Sequence, residues 1–398
     1  MKSFFSGLLP KVIVAIILGV ALGYVVPEFF VRIMATFNGL FSNFLGFSIP
    51  LIILGLIVSG IADLGKSAGK LLLLTALLAY GSTLFSGFFT FFSAEAVLPM
   101  IIDTSNTGLL STTQEISVSL KPYFTVGMPP LLDVMSALII AFVIGIGISQ
   151  IKSNGLKNIF DEFKMIVEKL ISSVIIPLLP IFIFGIFLNM SYSGEAFKLM
   201  SEFGKVILFI ILLSFVLLII QFSVAGIIAK KNPFVLLKNM LPAYMTAMGT
   251  SSSAATIPVT LQQTKFNGVN SGIAEFCVPL CATIHLSGSM MKVTGMSMAI
   301  LMMQGTPIDI MTYIGFIFLL GITMVAAPGV PGGAIMAAVA ILQSVLGFNE
   351  QSIALMIAVY IAIDSFGTAC NVTGDGAISI IINKISGFEL GKESKIND

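Results

Sequence analysis

Charge is what this chain has least of. Only 10% of its 398 residues are Asp, Glu, Lys or Arg, while 57% are apolar and the mean hydropathy is +1.06. Soluble globules carry about a quarter charged residues, so that class is excluded and an integral membrane protein embedded in a lipid bilayer is indicated. A formal net charge of +1 lacks the basic excess that a polyanion demands, and no nucleic-acid partner is expected. Cysteine is nearly absent too. Cys277, Cys281 and Cys370 all lie in apolar segments, which excludes a disulfide framework or a metal-spaced cluster. Histidine occurs once, at His285. An intramembrane hydrolase built on Ser, His285 and Asp364 would need a nucleophile elbow, and the serines show no such pattern. No enzyme activity and no organic cofactor are expected.

Apolar segments are abundant. Spans are readable at 11–27, 39–62, 70–93, 130–150, 167–190 and 204–229, near the roughly 20 residues that a bilayer core requires. The first lacks a small-residue cleavage site and reads as a retained helix rather than a signal peptide. Beyond them, 233–265, 269–304, 307–347 and 351–386 are long apolar regions interrupted by Gly249-Thr250-Ser251-Ser252-Ser253, by Gly288, and by a Pro/Gly cluster at 328–333. Backbone that leaves a helix at membrane depth survives only where protein or a watery cavity adjoins it. Two such interruptions read as re-entrant helical hairpins, and paired interruptions point to a transporter's binding site. The predicted fold is therefore an all-α integral membrane protein with eight transmembrane helices and two re-entrant hairpins. Lys152, Lys157, Lys164, Lys169, Lys230, Lys231 and Lys238 contrast with Glu95, Asp103 and Glu115 after the third span. The positive-inside rule then places both termini in the cytoplasm of a plasma (inner) membrane, with 99–127 as an external loop.

Two carboxylates interrupt the last apolar segment. Asp364, Thr368, Asn371 and Asp375 follow i, i+4, i+7, i+11 spacing. On a helix they form a stripe about 60° wide and about 16 Å long. Ionised carboxylates are costly in hydrocarbon, so the stripe must face protein, water or a cation, and it reads as a transport or relay site. An ion channel lined by this helix is the other class that the pattern admits.

Three sequences in order resemble the dicarboxylate/amino acid:cation symporter family, the glutamate transporter homologues: Gly249-Thr-Ser-Ser-Ser-Ala-Ala-Thr-Ile-Pro-Val-Thr260, Pro328-Gly-Val-Pro-Gly-Gly333, and Asp364…Thr368…Asn371-Val-Thr-Gly-Asp375. The resemblance implies a homotrimer in which a transport domain moves past a scaffold like an elevator. Scaffold helices 1 and 2 would occupy 1–69 and transport helix 3 would occupy 70–98. The external loop with scaffold helices 4 and 5 would occupy 99–202. The rest of the transport domain would occupy 203–398: helix 6, hairpin 1 at 233–265, helix 7 at 269–304, hairpin 2 at 307–347, and helix 8 at 351–386. It also implies that Ser252 and Ser253 receive a substrate carboxylate, as a helix N-terminus at a Ser/Gly tip favours. Gly329, Val330 and Gly332 would line the second tip. Asp364 would take the substrate amine, and Thr368 and Asn371 would flank it. Asn371 and Asp375, with Ala282 and His285 on the seventh segment, would hold sodium.

The chain departs from that pattern at telling places. Where acidic amino acid carriers of the family place Arg, three residues after the amine-binding Asp, it has Gly367. That favours a small neutral amino acid, Ser, Thr or Ala-like, as the symported substrate, driven by Na+ and/or H+. The family's Asn-Met-Asp-Gly-Thr is His285-Leu286-Ser287-Gly288-Ser289 here, so Ser287 replaces a sodium carboxylate. His285 either satisfies hydrogen bonds in a broken helix or relays a proton. Lys292 leaves three readings: an ammonium replacing the lost sodium charge, a substitute for the arginine that would make the substrate acidic or a dicarboxylate, or a stem snorkelling to water.

Overall fold

The structure, a computed structural model, describes residues 8–66, 70–102, 120–132, 134–192, 194, 196–327 and 332–386. Gly329, Val330, Asp103 and Glu115 lie outside them. Every regular element among the described residues is helical. By length and hydropathy, Glu28–Ser59, Leu71–Ile101, Gly155–Tyr192, Ser201–Ala229 and Ser271–Gln304 can each cross a membrane. A bent pair, Glu350–Ala362 with Asp364–Ile385, is long and apolar enough to do so when the two helices are taken together. α1 (Leu8–Gly23) and α4 (Val134–Gln150) are shorter, with 16 and 17 residues. At 1.5 Å per residue they reach about 24–26 Å, slightly less than a typical hydrocarbon core.

The remaining helices are α2 (Glu28–Lys66), α3 (Lys70–Ile101), α5 (Gly155–Leu170), α6 (Ile176–Tyr192) and α7 (Ala196–Ala229), with a π turn at Ile171–Ile175 joining α5 to α6. α8 (Pro233–Asn239), α9 (Leu241–Thr250) and α10 (Ser253–Phe266) follow. Then come α11 (Ser271–Ile284), α12 (Ser287–Gln304), α13 (Ile310–Ala326), α14 (Gly333–Leu346), α15 (Glu350–Ala362) and α16 (Asp364–Ile385). The second helix starts well before residue 39, because Glu28-Phe29-Phe30 already supply a first helical turn after Pro27.

Two groups of helices pack together. In one, α2 lies against α4, α5 and α6, and α1 lies against α6. Gly19 and Gly23 let α1 approach closely: a Cβ on Gly19 would come 2.8 Å from the Phe184 carbonyl oxygen, and one on Gly23 2.7 Å from that of Leu188. Small residues serve this purpose in bilayers, where apolar burial alone does not drive helices together. In the other group, α16 is central, packed against α3, α7, α9, α10, α11 and α12. Exposed Leu73, Leu77, Phe92, Leu208 and Leu212 on α3 and α7 face outward, as lipid contact requires.

Candidate functional site

Within each region expected to form a hairpin, one helix ends and another begins. In the first, α9 ends at Ser251, whose φ of +49° is left-handed, and α10 starts after Ser252, whose hydroxyl accepts from the Ala255 N–H. Ser253 is buried at the first position of α10, where the unpaired N–H groups of a helix start favour a carboxylate. In the second, α14 starts after Gly332, whose φ of +75° suits glycine. The other tip residues lie outside the described set.

Two further helices break at buried residues. α11 gives way to α12 at His285-Leu286, and α15 bends by 62° into α16 at Ile363. The breaks are joined by hydrogen bonds. Asn371 Oδ1 accepts from the Gly288 N–H at 2.7 Å and the Ser289 N–H at 3.3 Å, capping α12 from a different helix. Asn371 Nδ2 donates to Ser289 Oγ, to which the Tyr360 hydroxyl also donates. Gly288 is needed at this crossing because an added Cβ would fall 2.7 Å from Cys370 Cβ.

Asp364 stands at the first position of α16, directly after the bend. Its Oδ1 accepts from Lys292 Nζ at 2.7 Å, and its Oδ2 accepts from the Gly332 N–H at 2.8 Å. The Lys292 side chain is 2% exposed, so it does not snorkel to water. Its stem lies over Gly367: a Cβ there would come 2.9 Å from Cδ and 2.6 Å from Nζ, and would strike Cε. On its other side the ammonium faces the Tyr360 ring, 3.5 Å from the centroid, a cation–π contact. The lysine therefore fills the space beside Gly367 and is committed to Asp364. Thr368 is buried one turn along the same stripe.

Asp375, at the other end, meets His285. Nδ1 lies 2.9 Å from Asp375 Oδ1, and Nε2 lies 3.0 Å from Ser82 Oγ. Gln221 Nε2 donates to Ser82 Oγ and to Ser287 Oγ. A neutral imidazole with its proton on Nδ1 satisfies this chain: Nδ1–H donates to Asp375, and Nε2 accepts from Ser82. Asp375 Oδ2 and Gln221 Oε1 are buried without a hydrogen-bond partner. Ala282 is buried on α11, one turn before His285.

Of the oxygens that could hold a sodium ion, some are engaged, while Asp375 Oδ2 and Gln221 Oε1 stay open. A hard cation wants several oxygen ligands. Here Asn371 Oδ1 is taken by two N–H groups, and a ring nitrogen holds one Asp375 oxygen. Among the described residues no cluster of three His, Cys, Asp or Glu groups exists. Glu275, near the start of α11, pairs with Lys265 at 2.6 Å on the surface, away from the stripe.

Four partners went unread in the sequence: Ser82 on α3, Gln221 on α7, Tyr360 and Ser289. Gln221 had a usable signal, being a lone amide inside the apolar Ser201–Ala229 span.

Comparison with known proteins agrees with this architecture. The Acinetobacter baumannii (strain AYE) protein named serine/threonine transporter SstT is 26% identical over 392 residues, covering 94% of this chain and 96% of its own length. A Streptococcus suis protein of the same name is 24% identical, covering 83% and 92%. A Caenorhabditis elegans excitatory amino acid transporter is 23% identical over 312 residues, 75% of this chain and 60% of its own. The profile of the sodium:dicarboxylate symporter family matches residues 8–385. Helix breaks, capped termini and a buried acidic stripe thus sit within a chain that belongs to the sodium:dicarboxylate symporter family.

Proposed function

We propose that this protein is a secondary active symporter for a small neutral amino acid of the Ser, Thr or Ala kind. The coupling gradient is sodium, protons or both. The substrate carboxylate goes to the first hairpin tip at Ser252 and Ser253, and its amine goes to Asp364, with Thr368 and Asn371 alongside. The observation that carries this reading is at Gly367. The only cation beside that glycine among the described residues, Lys292, is bound to Asp364 and leaves nothing to hold a second carboxylate. The naming of two relatives as serine/threonine transporters points the same way.

The eight-crossing arrangement, the homotrimer and the elevator motion belong to the same proposal. Support comes from the two packed groups of helices, one built around α2 and the other around α16. An acidic or dicarboxylate substrate is the second reading, favoured only by the position of Lys292 where the family's arginine would start. Uptake of a labelled amino acid panel into proteoliposomes, with sodium and pH gradients imposed separately, tests the proposal. Transport of aspartate or succinate, with L-serine, L-threonine and L-alanine all refused, would overturn it.

A further inference from the structure

The Lys292–Asp364 pair does something that a binding carboxylate alone cannot. Asp364 has two oxygens in two different situations. Oδ1 is held by an ammonium that is itself walled in by the Tyr360 ring and the Gly367 backbone. Oδ2 is held by one backbone N–H of Gly332, at the foot of the second hairpin. The first contact is built into the core. The second belongs to an element joined to α13 by a short tip, and a substrate ammonium can replace it.

We propose that Lys292 is a built-in counter-cation for Asp364, one that stays on Oδ1 throughout the cycle while Oδ2 alternates between the Gly332 N–H and the substrate amine. This rests on the amine-binding role of Asp364 proposed above. The charge count follows directly. Empty, the pair sums to zero. Loaded with a zwitterion, it still sums to zero. A carboxylate without its lysine would be an unpaired buried charge whenever the substrate left, and moving such a charge through a bilayer is strongly opposed. That carrier could return only with a small cation from solution on Asp364. Here the lysine removes that requirement, and the empty carrier returns on its own.

The test uses two transport modes in proteoliposomes with labelled L-serine, or with whichever panel amino acid the wild-type protein carries. Net uptake into substrate-free vesicles requires return of the empty carrier. Exchange against unlabelled substrate inside does not. Wild-type net uptake should be unchanged when internal sodium and potassium are replaced by N-methylglucamine. Lys292→Met should lose net uptake by at least about tenfold while exchange persists, because in every loaded crossing the substrate ammonium pairs with Asp364 and the substrate carboxylate is held by the N–H groups of the first hairpin tip, so neither charge crosses bare. Lys292→Arg, which keeps the charge, should retain both modes. Three results would overturn the inference. One is a wild-type protein whose net uptake needs a small internal cation, a measurement that holds even where Lys292→Met fails to fold. Another is a folded Lys292→Met protein that loses both modes together. The third is one that keeps both. A wild-type protein that carries no panel amino acid in either mode refutes instead the reading on which the inference stands, and removes the inference with it.

Discussion

Gly367 sets the charge available to the substrate, and exchanging it with Lys292 should change what the protein carries. The perturbation is a cycle of three variants: Gly367→Arg, Lys292→Ala, and both together. With arginine alone, the new Cβ falls 2.6 Å from Lys292 Nζ and 2.9 Å from its Cδ, so the lysine must leave its seat. Two cations then share one carboxylate. At about 4 Å separation and an effective dielectric of 20 they repel by about 4 kcal/mol, enough to abolish binding or assembly. Removing the lysine to alanine vacates the space over position 367 and restores the charge count. A guanidinium there has five donors in a rigid fork and can serve Asp364 and a second carboxylate at once. Hydrogen bonds to charged groups contribute about 1.5–3 kcal/mol. That corresponds to roughly 10- to 150-fold in relative affinity for aspartate over serine. The assay is competition of each amino acid against labelled uptake, alongside a detergent melting curve for each variant. The two changes should be strongly non-additive, as residues in contact are. A stable double variant that still prefers serine, or a Gly367→Arg single variant as stable as the parent, would refute the reasoning.

Other consequences can be measured more simply. Gly288→Ala should cost about 2–4 kcal/mol through overpacking against Cys370 and loss of the Asn371 cap on α12, seen as a lower detergent melting temperature and weaker stabilisation by substrate. His285→Asn with Ser287→Asp returns the Asn and the Asp of the family's motif. This double variant should gain sodium-dependent thermal stabilisation over the parent, about 2.7 kcal/mol at a hundredfold excess over the dissociation constant of the restored site. Asp309 caps α13, and the Thr312 hydroxyl and N–H hold its carboxyl below the usual carboxylate range. A lowered native pKa stabilises above the unfolded value and is lost as pH falls through the folded one. Hydrogen-exchange protection at 310–313, measured against the intrinsic exchange rate at each pH, should therefore fall in acid, and Asp309→Ala should abolish that pH difference.

The helix ends at Thr250 and Ala326 were legible because their signals are local: a run of serines, and a Pro/Gly cluster between apolar arms. The stripe on α16 was legible because helical spacing puts four polar residues on one side. The bend at Ile363 was not, since no proline or glycine marks it, and Asp364 gives no sign by itself of opening a new helix. Nor was the cap that Asn371 supplies to α12. Local rules look for a cap within a few residues, and this one lies 83 residues away. The same distance hid the pairing of two anomalies. Lys292 and Gly367 are each odd in sequence, but only folding shows that the side chain missing from one position leaves the space for the other.

The Lys292–Asp364 pair also bears on how the chain is made. Its two members lie 72 residues apart, so during synthesis the segment carrying the lysine leaves the ribosome long before the carboxylate. A lysine at mid-helix raises the insertion free energy by about 2.5–3.5 kcal/mol. α12, with its run of Gly, Ser and Thr, has little hydrophobicity to offset that. Until α16 is made, the lysine has no carboxylate partner, and the cost of its charge in the bilayer stands unrelieved. The last described helix thus supplies what an earlier one needs to rest comfortably at that depth. Chains cut short before residue 364 would leave α12 without the partner that makes its place in the bilayer stable.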